Sequence, residues 1–497
     1  MAKHEDKSFA LQEVTDDAEK GSISSPVLVE DSLEFKRLLR KIDFRLMPLM
    51  CFIYGIQFLD KTTLSYASVM GIKKDTHLVG NDYALLGTMF YVGYLFWEYP
   101  TNYLMQRLPL AKYLAINIII WGGVLACTAA AKNWAGLMLV RTFLGIFEST
   151  VTPGFVLITS QWYRRAEQPL RIGIWYSFNG WAQIFGGCVA YGVAKHVGSD
   201  PHAALKGWQI IFIFTGCLTI LLGIGVFFYL PDRPSNARWL TEEERLLAVE
   251  RTRSNQQAVE NKTVKWYQFR EALTDVNTWL YALFSLATNI PNGAITNFGN
   301  ILITSFGYSS RQSLLLGTPA GAVEIVWILF FAWLATRTNQ RMYTALLSFI
   351  VPLIGLIMVA SAKHVTGLIG YYLIYGYPVG SVLILSLISA NTAGYTKKVT
   401  VNAINLIAYC VGNIIGPQTF QAKDSPDYKP AKIAMVICFG VCMLDFMIIR
   451  YLAVRENKRR DSLLASGDLN AGKIYGDKEA GILDLTDREN LSFRYNL

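Results

Sequence analysis

Twelve apolar stretches, each close to the ~20 residues a membrane-crossing helix requires, decide what this chain can fold into. They run over 45–66, 83–105, 112–131, 134–158, 170–194, 208–230, 276–303, 312–335, 341–361, 366–390, 398–421 and 432–453. Charged residues make up 17% of the chain and hydrophobic residues 52%, against about 25% charged in a soluble domain. Such a chain cannot cover a water-facing surface. A cytosolic enzyme, a disordered protein and a secreted disulfide scaffold are thereby excluded, and an all-α membrane protein is expected.

The pattern divides the chain into five regions. Residues 1–44 are polar and acidic, without the basic and apolar segments of a signal peptide, and read as a mostly disordered cytosolic tail. Residues 45–230 form a first six-helix bundle, 231–275 a cytosolic linker, 276–453 a second six-helix bundle and 454–497 a cytosolic C-terminal tail. Within the linker, Thr241 and Glu244 have capping-box spacing, so a surface helix starts there. Arginine sets the topology: Arg107, Arg164, Arg165, Arg171, Arg337 and Arg341 fall on the side of both termini, and Arg311 is the one outer-loop arginine. Both ends are therefore placed in the cytosol, and the sequons at Asn261 and Asn490 with them. The net charge of +9 is spread between apolar runs rather than gathered on one arm, which argues for membrane topology and against nucleic acid. The seven cysteines all lie in apolar runs and read as packing residues.

Charge at mid-bilayer costs about 2.5–3.5 kcal/mol, so the few ionisable residues in the spans carry the functional information. Arg141 and Glu148 in span 4 are seven residues apart, almost two helical turns, and share one face; Gly145 between them admits a neighbouring helix or a ligand. A permanent cation beside a titratable carboxylate suits proton-coupled uptake of an anion; an interhelical ion pair is the plainer alternative. Asp60 and Lys61 in span 1 point about 100° apart. Lys61 offers a point charge to a carboxylate, and Asp60 a partner for Arg141 or a proton carrier; the alternative is that span 1 ends early and both meet outer water. Glu98 in span 2 reads as a pairing group near the inner gate, about two turns before Arg107. Glu324 in span 8 is a weaker candidate for a second proton site, and Asp445 in span 12 reads as structural.

Uncharged polar residues make a second wall. Asn289, Gly293, Thr296 and Asn300 of span 7 follow helical spacing, and Asn297 accompanies them. Pro291 and Gly293 are expected to break that helix, which is tolerated beside a cavity. These amides bind a polar substrate or join helices. Tyr375 and Tyr377 of span 10 and Asn402 and Asn405 of span 11 extend the same wall. No P-loop or nucleophile–base constellation is present, so neither ATP-driven transport nor an enzyme is indicated.

Several segments together resemble one family: Phe58-Leu59-Asp60-Lys61, Tyr91-Val92-Gly93-Tyr94 through Glu98-Tyr99-Pro100, Arg141-Thr142-Phe143-Leu144-Gly145-Ile146-Phe147-Glu148 with Pro153-Gly154, Gln161-Trp162-Tyr163-Arg164-Arg165, Leu230-Pro231-Asp232-Arg233-Pro234 and Gly412-Asn413-Ile414-Ile415-Gly416-Pro417. The chain resembles the major facilitator superfamily, and within it the fungal anion:cation symporters of the allantoate-permease type. The resemblance implies a twelve-helix fold in two six-helix halves, with Asp60 and Glu148 as proton-linked acids and Lys61 and Arg141 binding or steering the anion. Lys61 departs from the arginine common in such relatives, and Ser149-Thr150-Val151-Thr152 departs from a run richer in glycine and phenylalanine.

The expected function is a monomeric proton-coupled symporter of the plasma membrane that imports a small organic anion by alternating access. The anion is a carboxylate-bearing metabolite, a vitamin or a vitamin precursor; no cofactor is required. Substrate contacts are assigned to Lys61, Arg141, Asn289, Asn297, Tyr375 and Asn405, and proton coupling to Asp60 and Glu148. Glu98 and Arg107 are assigned to the gate. The alternatives are an exporter or exchanger of organic anions and a transport-inactive nutrient receptor.

Overall fold

A computed structural model of the protein describes residues 33–164, 167–197, 204–257, 265–338, 340–466 and 483–497. Arg165, Asn261 and most of the N-terminal tail lie outside these residues. Among the described residues the regular structure is helical, with no strand. Two compact units are distinguished, Met1–Arg45 and Leu46–Leu497. The first contributes the opening turns of a helix that starts at Leu33, well before the expected boundary at 45, and runs to Val69.

Helix covers every expected span. Spans 2, 3, 6, 7, 9, 11 and 12 are the single helices Asp82–Arg107, Leu110–Cys127, Gly207–Tyr229, Val276–Ser305, Arg341–Ser361, Tyr395–Gln418 and Lys429–Ser466. Spans 4, 5, 8 and 10 are each two helices in succession: Trp134–Glu148 and Val151–Trp162, Gln168–Tyr176 and Phe178–Val197, Ser310–Leu316 and Thr318–Thr338, His364–Ile374 and Pro378–Asn391. Nine of the twelve, among the described residues, are long and apolar enough to cross a membrane. Spans 2, 5 and 7 have the length but are less apolar, in keeping with the amides, tyrosines and glycines that they place inside the protein.

Helix starts follow local chemistry. Asn133 accepts from the Gly136 amide at 2.9 Å and opens span 4. Asp275 does the same for span 7 through Asn277, at 3.1 Å. The Thr241–Glu244 capping box forms in both directions, at 2.9 and 3.2 Å, and the helix Glu242–Gln257 follows. Span 7, however, is not broken at Pro291. Span 11 lies directly against that region: a Cβ on Gly293 would come within 2.8 Å of the Asn413 carbonyl oxygen, and one on Gly416 within 2.3 Å of the Ile290 carbonyl oxygen. Lateral packing at backbone distance keeps the proline-containing helix continuous.

Hydrogen bonds between the helices before the linker and those after it gather at the end remote from the linker. Tyr83 donates to the Asn297 carbonyl at 2.7 Å, Gln183 to the Gly317 carbonyl at 3.2 Å, and Gln418 to Thr88 at 2.8 Å. The Asn300 amide donates to Ser65 at 3.1 Å. At the opposite end, the linker is fastened on both sides. Arg251 pairs with Glu167 of the loop after span 4. Lys265 bonds Thr396 through its backbone amide at 3.0 Å and Asp484 through its ammonium at 3.0 Å.

The C-terminal segment 483–497 packs onto this end of the later helices. The Lys397 ammonium, 2% exposed, holds Glu271 at 2.9 Å, Asp275 at 2.8 Å and Asp487 at 2.7 Å. Asp487 also accepts from the Tyr495 hydroxyl at 2.7 Å. Asn391 and Asn496 exchange two hydrogen bonds, as do Asn457 and Tyr495. The last span extends as helix to Ser466, and its Arg460 donates to the Phe493 carbonyl at 2.9 Å.

Candidate functional site

The four charged residues singled out in spans 1 and 4 come together in the interior. Asp60, Arg141 and Glu148 are buried, with at most 4% of their surface exposed, and the Lys61 side chain keeps 16%. Span 1 is helical through both of its charged residues, so it does not end early. The Lys61 ammonium pairs with Glu148 Oε1 at 3.0 Å. Asp60 turns the other way and accepts from the Trp121 indole of span 3 at 2.7 Å. Arg141 faces Asp60 and Glu148, together with Tyr83 and Tyr91 of span 2. The seven-residue spacing within span 4 thus delivers both groups to one place, and the ~100° offset in span 1 sends its two charges to different partners.

The charges are not fully matched by protein groups. Arg141 Nη2, Asp60 Oδ1, the Gln57 amide nitrogen and Glu148 Oε2 are buried without a hydrogen-bond partner, and Glu148 Oε1 has only its ion pair with Lys61. A buried polar group without a partner costs about 1–3 kcal/mol. Retaining four of them beside one partly exposed lysine leaves two donors, on Arg141 and Gln57, available to a solute and two acceptors, on Asp60 and Glu148, available to a proton. Gly145 admits a helix, not a ligand: a Cβ there would stand 1.9 Å from the Phe90 carbonyl oxygen of span 2.

Sequence reasoning missed four members of this site. Gln57, one turn before Lys61, faces Glu148. Trp121 anchors Asp60. Tyr91 and Tyr409 bring aromatic rings 6.1 Å apart across the two groups of helices, and Tyr409 faces both Lys61 and Glu148. Gln57 was recoverable, because an amide stands one turn before Lys61 and directly after the apolar stretch of span 1; the others carried no local signal.

Glu98 and Arg107 are not brought together. Glu98 is buried and accepts from Asn102 at 3.1 Å, whereas Arg107 lies 4.6 Å over the Tyr103 ring. Nine residues at 100° per residue put them on opposite faces of span 2, so a pairing along the helix was geometrically unavailable.

The second wall is largely occupied with helix packing. Asn289 accepts from Asn413 of span 11 at 3.1 Å and donates to the Ser285 carbonyl at 2.7 Å. Asn297 donates to the Gly293 carbonyl at 2.8 Å and its amide fills the space over Gly87 of span 2. Asn405 is buried with its amide oxygen unpartnered. Tyr375 hydrogen-bonds Tyr371 at 2.9 Å and lines a small cavity with Thr62, Ser65, Gln183 and Asn300, between the two groups of helices. Among the described residues no group of three or more His, Cys, Asp or Glu is arranged for a metal ion.

Comparison with known proteins agrees with this architecture. Residues 50–417 match the Major Facilitator Superfamily. An uncharacterized transporter of Schizosaccharomyces pombe is 46% identical over 93% of this chain and 89% of its own length. The allantoate permease of Saccharomyces cerevisiae is 43% identical over 93% of this chain and 87% of its own. The thiamine pathway transporter of the same yeast is 38% identical over 92% and 86%. Among solved structures, a bacterial homologue of the human lysosomal transporter Spinster, in an inward-facing and unoccupied conformation, superposes with a TM-score of 0.59 at 17% identity, covering 81% of this chain and 95% of that one. Its likeness establishes the fold. The chain is a multi-pass membrane transporter, not an enzyme, and it belongs to the Major Facilitator Superfamily, alongside the fungal allantoate permease and its relatives.

Proposed function

We propose that the protein is a proton-coupled symporter that imports a small organic anion, a carboxylate-bearing metabolite, by alternating access. The observation that carries this reading is the Lys61–Glu148 ion pair at 3.0 Å, with Arg141 beside it holding an unpartnered donor. A carboxylate entering the site takes up the free Arg141 donor and competes with Glu148 for Lys61. A proton on Glu148 releases Lys61 to the substrate, so anion binding and protonation favour each other. Asp60, already tied to Trp121, balances Arg141 and is the second acid of the cluster. The 43% identity to an allantoate permease favours allantoate or a carboxylate of similar size.

The cross-bundle hydrogen bonds at the end remote from the linker support an arrangement open toward the linker; with the linker and both termini placed in the cytosol, as the loop arginines favour, that arrangement is inward-facing, and the plasma membrane is the residence proposed. The test is uptake of labelled carboxylates, allantoate included, in cells lacking related carriers at two external pH values. Acid-stimulated accumulation of one carboxylate is expected. Glu148→Gln is expected to lose accumulation while keeping exchange of internal for external substrate, and Arg141→Ala to lose binding. Full pH-driven accumulation by Glu148→Gln would reject the coupling role.

A further inference from the structure

Among the described residues, three acids buried within the spans lie outside the cluster just described: Glu98, Glu324 and Asp445, at 6%, 1% and 1% exposure. Each has at least one carboxyl oxygen without a hydrogen-bond partner. Glu324 differs from the other two in position. It stands on span 8 one turn beyond Gly321, which meets Gly180 of span 5 at backbone distance: a Cβ on Gly180 would lie 2.4 Å from the Gly321 carbonyl oxygen, and one on Gly321 2.3 Å from that of Gly180. Spans 5 and 8 belong to different groups of helices, so this is a seam that alternating access has to open. Asn179, next to Gly180, is the amide that reaches Glu324, and its own oxygen is buried without a partner.

We propose that Glu324 is a second proton-carrying group, distinct from the span 1 and span 4 cluster, whose protonation latches the seam between spans 5 and 8. The groups that face it bear no charge at neutral pH. They are Tyr176 and Asn179 from span 5, Tyr54 from span 1, and Tyr375 and Tyr377 from span 10. Span 9 meets span 8 through Ser348, whose carbonyl accepts from Trp327; its ionisable residues Arg341 and Tyr343 lie more than one turn before that contact. A carboxylate closed into this site would be an unpaired buried charge, so the closed seam selects the neutral acid. Opening admits water and lets the proton leave. Closure of one end of the transporter is thereby linked to one bound proton at a point outside the span 1 and span 4 cluster.

This deepens the proton-coupled reading, yet its test needs neither substrate nor gradient. Hydrogen exchange of the segments 178–197 and 310–326 is followed by mass spectrometry in the purified full-length chain, over a range of pH and corrected for intrinsic exchange rates. If one proton is released on opening, the open population of the wild type rises with pH, approaching tenfold per pH unit. Glu324→Gln is expected to abolish that slope, and Glu324→Asp to retain it. Glu148→Gln is expected to leave it intact, which separates failure here from failure of the substrate site. Asn179→Asp puts a second carboxyl in the seam and is expected to steepen the slope, so the proposal stays testable if Glu324→Gln does not fold. A flat wild-type profile, an unchanged slope in Glu324→Gln, or a slope lost only in Glu148→Gln would overturn it.

Discussion

Replacing Lys61 by methionine tests whether the ion pair, rather than either charge, is what the fold tolerates. Lys61 lies 3.0 Å from a carboxylate that is fully buried, while its own side chain retains 16% exposure. Removing the lysine strands Glu148 in the interior, which costs about 3–5 kcal/mol for a buried pair broken on one side. Removing the carboxylate instead, in Glu148→Gln, strands a lysine that still touches water, and the loss is about 1–2 kcal/mol by the same reasoning. The double variant Lys61→Met with Glu148→Gln leaves no net charge, and replacing a whole buried pair is often neutral. A coupling energy of at least ~2 kcal/mol is therefore expected between the two sites. The assay is thermal unfolding of the purified protein in detergent, comparing the four midpoints. The expected order places Lys61→Met lowest and the double variant above it. Additive losses, with the double variant least stable of all, would refute the pairing.

Gly145→Ala pushes a methyl group into the Phe90 carbonyl oxygen, 1.9 Å away; overpacking of this kind costs about 1–3 kcal/mol or more, and the yield of monodisperse protein checks it. Lys397→Met leaves Glu271, Asp275 and Asp487 facing one another around an uncharged side chain, so limited proteolysis is expected to cut the 483–497 segment far faster than in the wild type. Arg107→Ala is expected to leave stability within ~0.5 kcal/mol, since Glu98 does not depend on it, and a melt within about a degree of the parent checks this. Asp445→Leu removes a carboxyl whose two oxygens are both buried and unpartnered; a higher melting temperature is expected, and a lower one would mean that Asp445 has a partner in another conformation.

Much of the architecture was legible because a bilayer imposes it. Length and apolarity of each run placed the helices, and the Thr241–Glu244 spacing placed one start to the residue. The convergence of Asp60, Lys61, Arg141 and Glu148 was legible too, since ionisable groups in spans have few places to go. Which of them pair was not. That Lys61 meets Glu148, and that Asp60 is satisfied by an indole from span 3, depends on how three helices rotate about their axes. Tyr409 comes from the far group of helices and its contribution is wholly tertiary. The continuity of span 7 through Pro291 was hidden for the same reason: local propensity argued for a break, and the close packing of Asn413 and Gly416 prevailed. The docking of 483–497 was equally silent, because its polar composition suits an aqueous tail as well as a segment anchored by buried ions.

The linker has two moorings on different sides of the molecule. Its first helix is tied through Arg251 to the loop after span 4, and its second segment through Lys265 and Asp275 to span 11 and the C-terminal residues. Any rocking of one set of helices against the other must then strain or release the Arg251–Glu167 pair or the Lys265 contacts.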